Sequence, residues 1–182
     1  MRALDGSTLD RLSVAPEEHE DATGASVRPV SVTDADDVAR LTTQLGYDAD
    51  PSAIAATLGR ILSRQDQQFF VAELDGRPVG WVHALAAEYV ESGAFVVIGG
   101  LVVDKNYRRK GVGRLLLQHA EGWAKEKGFS IVRLSSSTSR AAAHEFYQQL
   151  GYAKIKTQYS FMKSIEGNGK EKLLRFIPRV DE

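Results

Sequence analysis

The sequence predicts a single α/β domain with a mixed central sheet of six to seven strands and helices on both faces. The 182 residues are 43% hydrophobic, which suffices for one core of useful size. Strand-like and helix-like segments alternate in the second half of the chain, which favours parallel pairing there. In the middle of the chain an Asp-Gly pair joins two β-rich runs, which favours antiparallel pairing.

The first elements follow an N-terminal segment that lacks a hydrophobic period. Residues 1–26 are polar and acidic, and we interpret them as a flexible tail. "VRPVSV" then predicts a short strand. Thr33 or Asp34 is expected to cap a helix that ends near Gly46. "DADPSAIAATLGRILSRQ" predicts a second helix, because Pro51 suits a first turn and the apolar residues recur at helical spacing.

Three strands are predicted next. "QFFVAELDGRPVGWVHALAAEYV" contains two of them, joined at Asp75-Gly76. "AFVVIGGLVVD" is almost continuously apolar, as expected of a central strand that is covered on both faces. Gly99 and Gly100 in its middle predict a bulge in this fourth strand.

The remaining elements alternate. "YRRKGVGRLLLQHAEGWAKEKG" leads into a long amphipathic helix, "SIVRLSSS" predicts a strand, and "SRAAAHEFYQQLG" predicts a helix that ends at Gly151. "YAKIKTQYSFMKSI" is expected to add one or two terminal strands. The predicted domain therefore spans residues 27–163, with a C-terminal extension over residues 164–182.

The turn before the long helix has the composition of an anion site. Arg108, Arg109 and Lys110 stand directly before Gly111, and Gly113 follows. The first amides of a helix lack internal partners, and glycines let an anion approach them closely. A phosphate is the expected guest, with a solvated basic turn as the alternative. No Gly-Lys-Ser/Thr follows, so the turn is not a nucleotide-hydrolase loop.

Composition excludes several other classes of protein. The formal net charge of −1 argues against a nucleic-acid partner, and the sequence has no apolar run long enough to span a membrane. The absence of cysteine excludes disulfides and thiolate chemistry, and the His and carboxylate residues show no metal-site spacing. A cytoplasmic protein without a metal is expected.

Two segments resemble the GNAT superfamily of N-acetyltransferases. "LVVDKNYRRKGVGRLLL" is similar to its acetyl-CoA signature, Arg/Gln-x-x-Gly-x-Gly/Ala, through Arg108, Gly111 and Gly113. "AAAHEFYQQLGY" resembles its second signature, a helix with Phe-Tyr followed by Leu-Gly-Tyr. The likeness covers about residues 27–163, and the order of elements agrees with it.

The resemblance implies a site for acetyl-CoA as cosubstrate. Backbone groups of the fourth strand would lie beside the pantetheine arm, and the amides of the glycine turn would hold the pyrophosphate. Arg140 stands where the second signature usually has Asn, and its side chain could reach the cofactor phosphates. The implied cofactor-binding residues are Leu101, Val102, Val103, Arg108, Arg109, Lys110, Gly111, Val112, Gly113, Arg114 and Arg140.

The resemblance also implies the chemistry. Tyr147 matches a tyrosine that serves as general acid toward the departing thiolate. The fourth strand offers no carboxylate, so Glu88 and Glu91 are the nearest candidates for the base. The expected activity is direct transfer of acetyl to a primary amine of a small molecule or a protein in a ternary complex, with a homodimer as an open alternative to a monomer. A non-catalytic acyl-CoA-binding module is the alternative function.

Overall fold

The computed structural model describes residues 24–165, which form one five-stranded sheet and four α-helices. The strands are β1 (Ser26–Pro29), β2 (Gln67–Leu74), β3 (Arg77–Tyr89), β4 (Gly93–Val103) and β5 (Val132–Leu134). The helices are α1 (Ala35–Thr43), α2 (Pro51–Leu62), α3 (Val112–Glu126) and α4 (Ala141–Gln149), with short 3₁₀ helices at Val32–Asp34 and Lys105–Tyr107. None of the helices between residues 24 and 165 combines the length and apolar character that crossing a bilayer requires.

The strands lie in sequence order, β1-β2-β3-β4-β5, and the sheet is mixed as expected. The first three pairings are antiparallel, and β5 joins β4 in parallel. Asp75 and Gly76 form the β2–β3 turn with positive φ angles of 50° and 75°. Two consecutive positive φ angles match the twist of the flanking strands, so the hairpin predicted from this dipeptide is confirmed.

Helices cover both faces of the sheet because side chains alternate along each strand. On one face, Phe69, Val71 and Trp81 pack against α1 and α2. On the other face, Phe70 and Val82 pack against α3, and side chains of α4 join the edge of that cluster. We call these the α1/α2 face and the α3/α4 face. The one-residue step between neighbouring strand positions therefore assigns each side chain to one face or the other.

The start of the first helix differs in detail from the expectation. Ser31 caps the 3₁₀ helix, and the Asp34 carboxylate accepts a hydrogen bond from the Ser31 amide in return. Asp34 is also the N-cap residue of α1, but its side chain does not cap that helix. The carboxylate instead binds the guanidinium of Arg28, with two contacts of 2.8 and 2.9 Å.

The register of β3 and β4 shifts in the middle of the pair. His83 lies opposite Gly100, and the next residue, Ala84, lies opposite Ile98. Gly99 therefore has no counterpart in β3 and is exposed. This irregularity falls within the Gly99-Gly100 pair for which the sequence predicted a bulge.

The expected number of six to seven strands is wrong for residues 24–165, which contain five. Residues 153–163 alternate apolar and polar side chains, but they pair with no strand of the sheet, and Ile155, Tyr159 and Phe161 are exposed. A strand needs a neighbouring backbone to bond, and β5 is only three residues long. The tail predicted for residues 1–26 lies outside the described residues except for its last three, of which Ser26 begins β1. The C-terminal extension lies outside beyond residue 165.

Candidate functional site

In the turn that precedes α3, the backbone amides of residues 109–114 donate to no other group among residues 24–165. Gly111 is the N-cap residue, with a φ of 87°, and it offers no side chain to cap the helix. Arg109 also has a positive φ, of 60°. Left-handed residues that alternate with ordinary ones turn successive N–H groups toward a common point and so form an anion-binding concavity. Arg108, Arg109, Lys110 and Arg114 are all exposed around it.

The two glycines of the turn are required for different structural reasons. Gly111 satisfies the positive φ, which an L side chain rarely adopts. Gly113 lies against α4, where an added Cβ would be 3.2 Å from Cζ of Phe146 and 3.6 Å from Cγ2 of Val103. Gly113 therefore allows the start of α3 to pack closely on α4, the second helix that carries predicted site residues. Sequence reasoning assigned this glycine to the anion alone.

A buried carboxylate that the sequence analysis missed anchors the turn to the rest of the fold. Asp104, at the end of β4, accepts hydrogen bonds from Arg40 at 2.6 Å, from the Gln44 amide at 3.2 Å and from the Asn106 backbone at 3.0 Å. Desolvation alone would raise the pKa of Asp104, but the three hydrogen bonds and the charge of Arg40 together outweigh it and lower the pKa below its usual value. The carboxylate is therefore ionised and ties the turn to α1. The sequence signal that could have identified Asp104 is an aspartate directly after an apolar strand.

The sheet opens where β4 and β5 part. Their pairing covers Val96 to Ile98 on β4 and ends there, while β4 continues to Val103 along β3. Leu101, Val102 and Val103 thus have a partner strand on the β3 side, and the other edge faces the gap. We call this gap the β4–β5 cleft. The Val103 carbonyl already accepts a hydrogen bond from Nε of Arg108 at 3.2 Å, which draws this side chain back onto the end of β4.

Tyr147 lies on α4 and is half-buried against the α3/α4 face of the sheet. Its ring contacts those of Phe146 and Tyr152, with centroid distances of 5.3 and 6.0 Å. The hydroxyl makes no hydrogen bond to any residue between 24 and 165, whereas the hydroxyl of Tyr152 donates to Glu121 at 2.6 Å. Burial raises the pKa of Tyr147, and the charge of Arg140 offsets part of that increase. The phenol is therefore protonated at neutral pH.

Arg140 and the two glutamates occupy different places. Arg140 is the exposed N-cap residue of α4. The same helix contributes Phe146, which packs near Gly113 of the glycine turn. Glu88 and Glu91 are exposed at the far end of the β3–β4 hairpin, where Glu88 lies opposite Ala94. Glu88 lies five residue steps along β3 from His83, which corresponds to about 17 Å. The structure thus brings the turn, α4 and the cleft together, and leaves the two glutamates apart from them.

Two histidines near these elements bind backbone carbonyls. His119 contacts the Leu115 carbonyl in its own helix at 2.9 Å, and His144 contacts the Ser137 carbonyl in the loop before α4 at the same distance. No group of three or more potential metal ligands occurs among residues 24–165. The arrangement that remains combines an anion-binding turn, an opened sheet and a protonated phenol.

Comparison with protein families agrees with this chemistry. Residues 35–152 match the Acetyltransferase (GNAT) family. An uncharacterized N-acetyltransferase of Methanocaldococcus jannaschii is 29% identical over 108 residues, which are 58% of this chain and 48% of the relative. An uncharacterized N-acetyltransferase of Chlorobaculum tepidum is 29% identical over 138 residues, 76% of this chain and 81% of the relative. The chain likewise spans less than half the length of other curated relatives that it matches.

Solved structures share the fold. The aminoglycoside 6'-N-acetyltransferase AAC(6')-Ih of Acinetobacter baumannii has a TM-score of 0.69 and 21% identity, and the match covers 79% of this chain and all of that one. AAC(6')-Iy, in complex with a bisubstrate analogue of CoA and acetylneamine, has a TM-score of 0.70 and 23% identity over 77% of this chain and 98% of that one. At these identities the likeness concerns the fold.

Proposed function

The chain belongs to the GNAT family of acetyltransferases, and from this premise we propose that it transfers an acetyl group from acetyl-CoA to a primary amine. The amine would belong to a small molecule or a protein, and it would attack the thioester directly in a ternary complex. One observation carries the proposal: the uncapped turn of α3 packs through Gly113 onto α4, and α4 presents the hydroxyl of Tyr147, which has no hydrogen-bond partner among residues 24–165.

Acetyl-CoA is the proposed cosubstrate, with its pyrophosphate on the amides from Arg109 to Arg114. The positive end of the α3 dipole and the exposed cations of the turn support this assignment. Arg140 would contact the cofactor phosphates from the start of α4. The pantetheine arm would lie in the β4–β5 cleft along Leu101, Val102 and Val103, as an extended segment does when it adds to an unpaired sheet edge.

The proposed chemistry needs a polarised carbonyl and a proton donor. A backbone amide of β4 at the register shift, which we take as the bulge of this strand, would polarise the thioester carbonyl. Tyr147 would protonate the departing thiolate, for which its raised pKa keeps the proton available. Glu88 and Glu91 are the carboxylate candidates for the base. Both lie at the hairpin end of β3, so they would act on an acceptor that extends along this strand.

A non-catalytic acyl-CoA-binding module is the second candidate. The absence of any carboxylate between Phe95 and Val103 favours it, because the cleft then has no acidic base on its own strand.

The two functions differ in turnover. A diamine, an aminosugar and a lysine-containing peptide should be offered with acetyl-CoA, and release of free thiol should be followed.

We expect thiol release with at least one of these amines, above the rate without amine. Calorimetric binding of acetyl-CoA without thiol release from any of them would favour the binding module. Failure to bind acetyl-CoA would contradict both functions. A cytoplasmic location is part of the same proposal and can be checked by fractionation. Light scattering would distinguish a monomer from a homodimer, both of which the proposal allows.

A further inference from the structure

His83 occupies the point at which the β3–β4 register shifts. It lies opposite Gly100, and the next pair along the strands skips Gly99. The imidazole is half-buried on the α1/α2 face, with its centroid 5.4 Å from that of Phe69. Gly99 beside it is exposed. A partly buried imidazole therefore borders an exposed backbone position where β4 has already parted from β5.

The contact with Gln67 favours one tautomer of this imidazole. Nε2 lies 3.1 Å from the side-chain oxygen Oε1 of Gln67. An amide oxygen accepts but cannot donate, so Nε2 carries the hydrogen. Nδ1 is then left with its lone pair. With the Gln67 oxygen on Nε2, Nδ1 is the nitrogen that can accept a proton.

Nδ1 lies beside the space that Gly99 leaves open, which the side chain of Leu85 also borders. A Cβ at Gly99 would lie 3.6 Å from Nδ1, in ordinary van der Waals contact, so any larger side chain would cover this nitrogen. Glycine keeps the approach free. The open position is next to the β4 backbone where the thioester is proposed to lie.

The imidazole is also in the right charge state to accept a proton. Burial lowers the pKa of His83, and no charged side chain among the described residues contributes to the shift. A lowered pKa keeps the ring neutral at neutral pH. Unlike a buried histidine with both nitrogens bound, His83 has no hydrogen-bond partner for Nδ1 among residues 24–165, and this nitrogen lies beside the exposed Gly99.

Resting on the proposed acetyl transfer, we propose that Nδ1 of His83 is the general base that takes a proton from the acceptor ammonium beside Gly99. The neutral amine then attacks the thioester carbon, and the C–S bond breaks as the tetrahedral intermediate collapses. Tyr147 gives its proton to the thiolate and regains one from the amide nitrogen. His83 returns its proton to solvent, so the products are the acetylated amine, free CoA and one proton.

The two faces of the sheet support this division of roles. His83 is on the α1/α2 face and Tyr147 packs against the α3/α4 face. At the β4–β5 cleft the sheet is open, so the two faces that carry His83 and Tyr147 are no longer separated there. Glu88, about 17 Å further along β3, is less well placed for a thioester in the cleft.

The first test measures the tautomer and needs no acceptor. Nitrogen-15 NMR of the full chain should show His83 neutral at pH 7, with hydrogen on Nε2 and none on Nδ1. A proton on Nδ1, or a charged ring at pH 7, would overturn the proposal whatever the acceptor is. His83→Gln identifies the resonance.

The second test uses the amine that gives most thiol release. His83→Gln should lower kcat about 10²-fold or more and should remove the acidic limb of the pH profile of kcat/KM. Acetyl-CoA affinity should stay within about twofold, because the cofactor turn is intact. His83→Ala should regain activity with added imidazole, which a purely structural histidine would not allow.

His119→Gln is the matched control, because this ring contacts the Leu115 carbonyl of its own helix, and it should keep both the rate and the acidic limb. Glu88→Gln tests the competing assignment. If Glu88→Gln loses the limb and His83→Gln keeps it, the base is the glutamate and the inference fails. If no amine releases thiol while the tautomer is as expected, the failure belongs to the proposed activity and not to the state of His83.

Discussion

The indole of Trp81 covers Gly100 so closely that a Cβ on Gly100 would lie 2.6 Å from Cζ3 of that ring. Trp81 is buried in the cluster beneath α1 and α2 and contacts Phe69 at a centroid distance of 5.1 Å. The ring cannot retreat without disturbing this cluster. The second glycine of the pair is thus required by packing, whereas the first borders an open site.

We therefore expect Gly100→Ala to destabilise the fold by about 1–3 kcal/mol, the usual cost of overpacking a core. Gly99→Ala is the matched control, because its nearest contacts would be at 3.6 Å. It should cost less than about 1 kcal/mol. Urea unfolding of both variants measures the difference. Equal stability of the two would show that Trp81 can move aside.

Reversing the charge of Arg114 should weaken acetyl-CoA binding without harming the fold. Arg114→Glu places an acid in the first turn of α3, where the helix dipole favours negative charge. The same acid would repel a pyrophosphate on the turn. We expect affinity to fall at least tenfold, which is about 1.4 kcal/mol, by calorimetry.

Lys125→Glu makes the same change of charge in the last turn of α3 and is the control. It should leave affinity within about twofold, because exposed charges this far apart are screened at physiological salt. Equal losses in the two variants would mean that the net charge of the helix, rather than the turn, attracts the cofactor.

Tyr147→Phe tests the proposed general acid. The ring stays against Phe146 and Tyr152, so the melting temperature should hardly change. The lost hydroxyl should slow turnover roughly 10–10²-fold, at the low end for acid catalysis because a thiolate leaves readily. Acetyl-CoA affinity should stay the same, since the interaction gains strength as charge develops on sulfur. Turnover within about twofold of the parent would reject the role.

Asp34 makes stability depend on pH. The hydrogen bonds from Arg28 are the largest influence on the pKa of this buried carboxyl, and they lower it. The group therefore contributes stability above the ordinary aspartate pKa of about 3.9, and this contribution is lost as pH falls through the lower pKa of the folded protein.

Asp34→Asn should destabilise the fold by about 1.5–3 kcal/mol at pH 7, the range for hydrogen bonds to charged groups. The gap between parent and variant should close as pH falls below about 4. Thermal unfolding from pH 2 to 7 measures it. The exposed Asp36→Asn serves as control and should show a smaller difference. A gap that persists at pH 2 would contradict the assignment.

Local signals were sufficient for much of the fold. The Asp75-Gly76 turn, α3 and the order of elements through α4 follow from turn chemistry and apolar spacing, which involve neighbouring residues only. The anion site at the glycine turn was also predictable from sequence, because basic residues next to glycines favour the close approach of an anion to the backbone. Its two glycines look alike in sequence. Gly111 is needed for its positive φ, whereas Gly113 is needed because Phe146 lies close to it.

Tertiary structure decided the rest, because strand pairing and side-chain environment depend on residues far apart in the chain. Residues 153–163 have the alternation of a strand, but a strand forms only against a free partner edge, and β5 offers three residues. In the sequence, His83 is a histidine among mostly apolar neighbours, with no local signal of its environment. Its open nitrogen follows from Gln67 across the β2–β3 pair and from Gly99 across the β3–β4 pair. Contacts of this kind arise only when the sheet assembles.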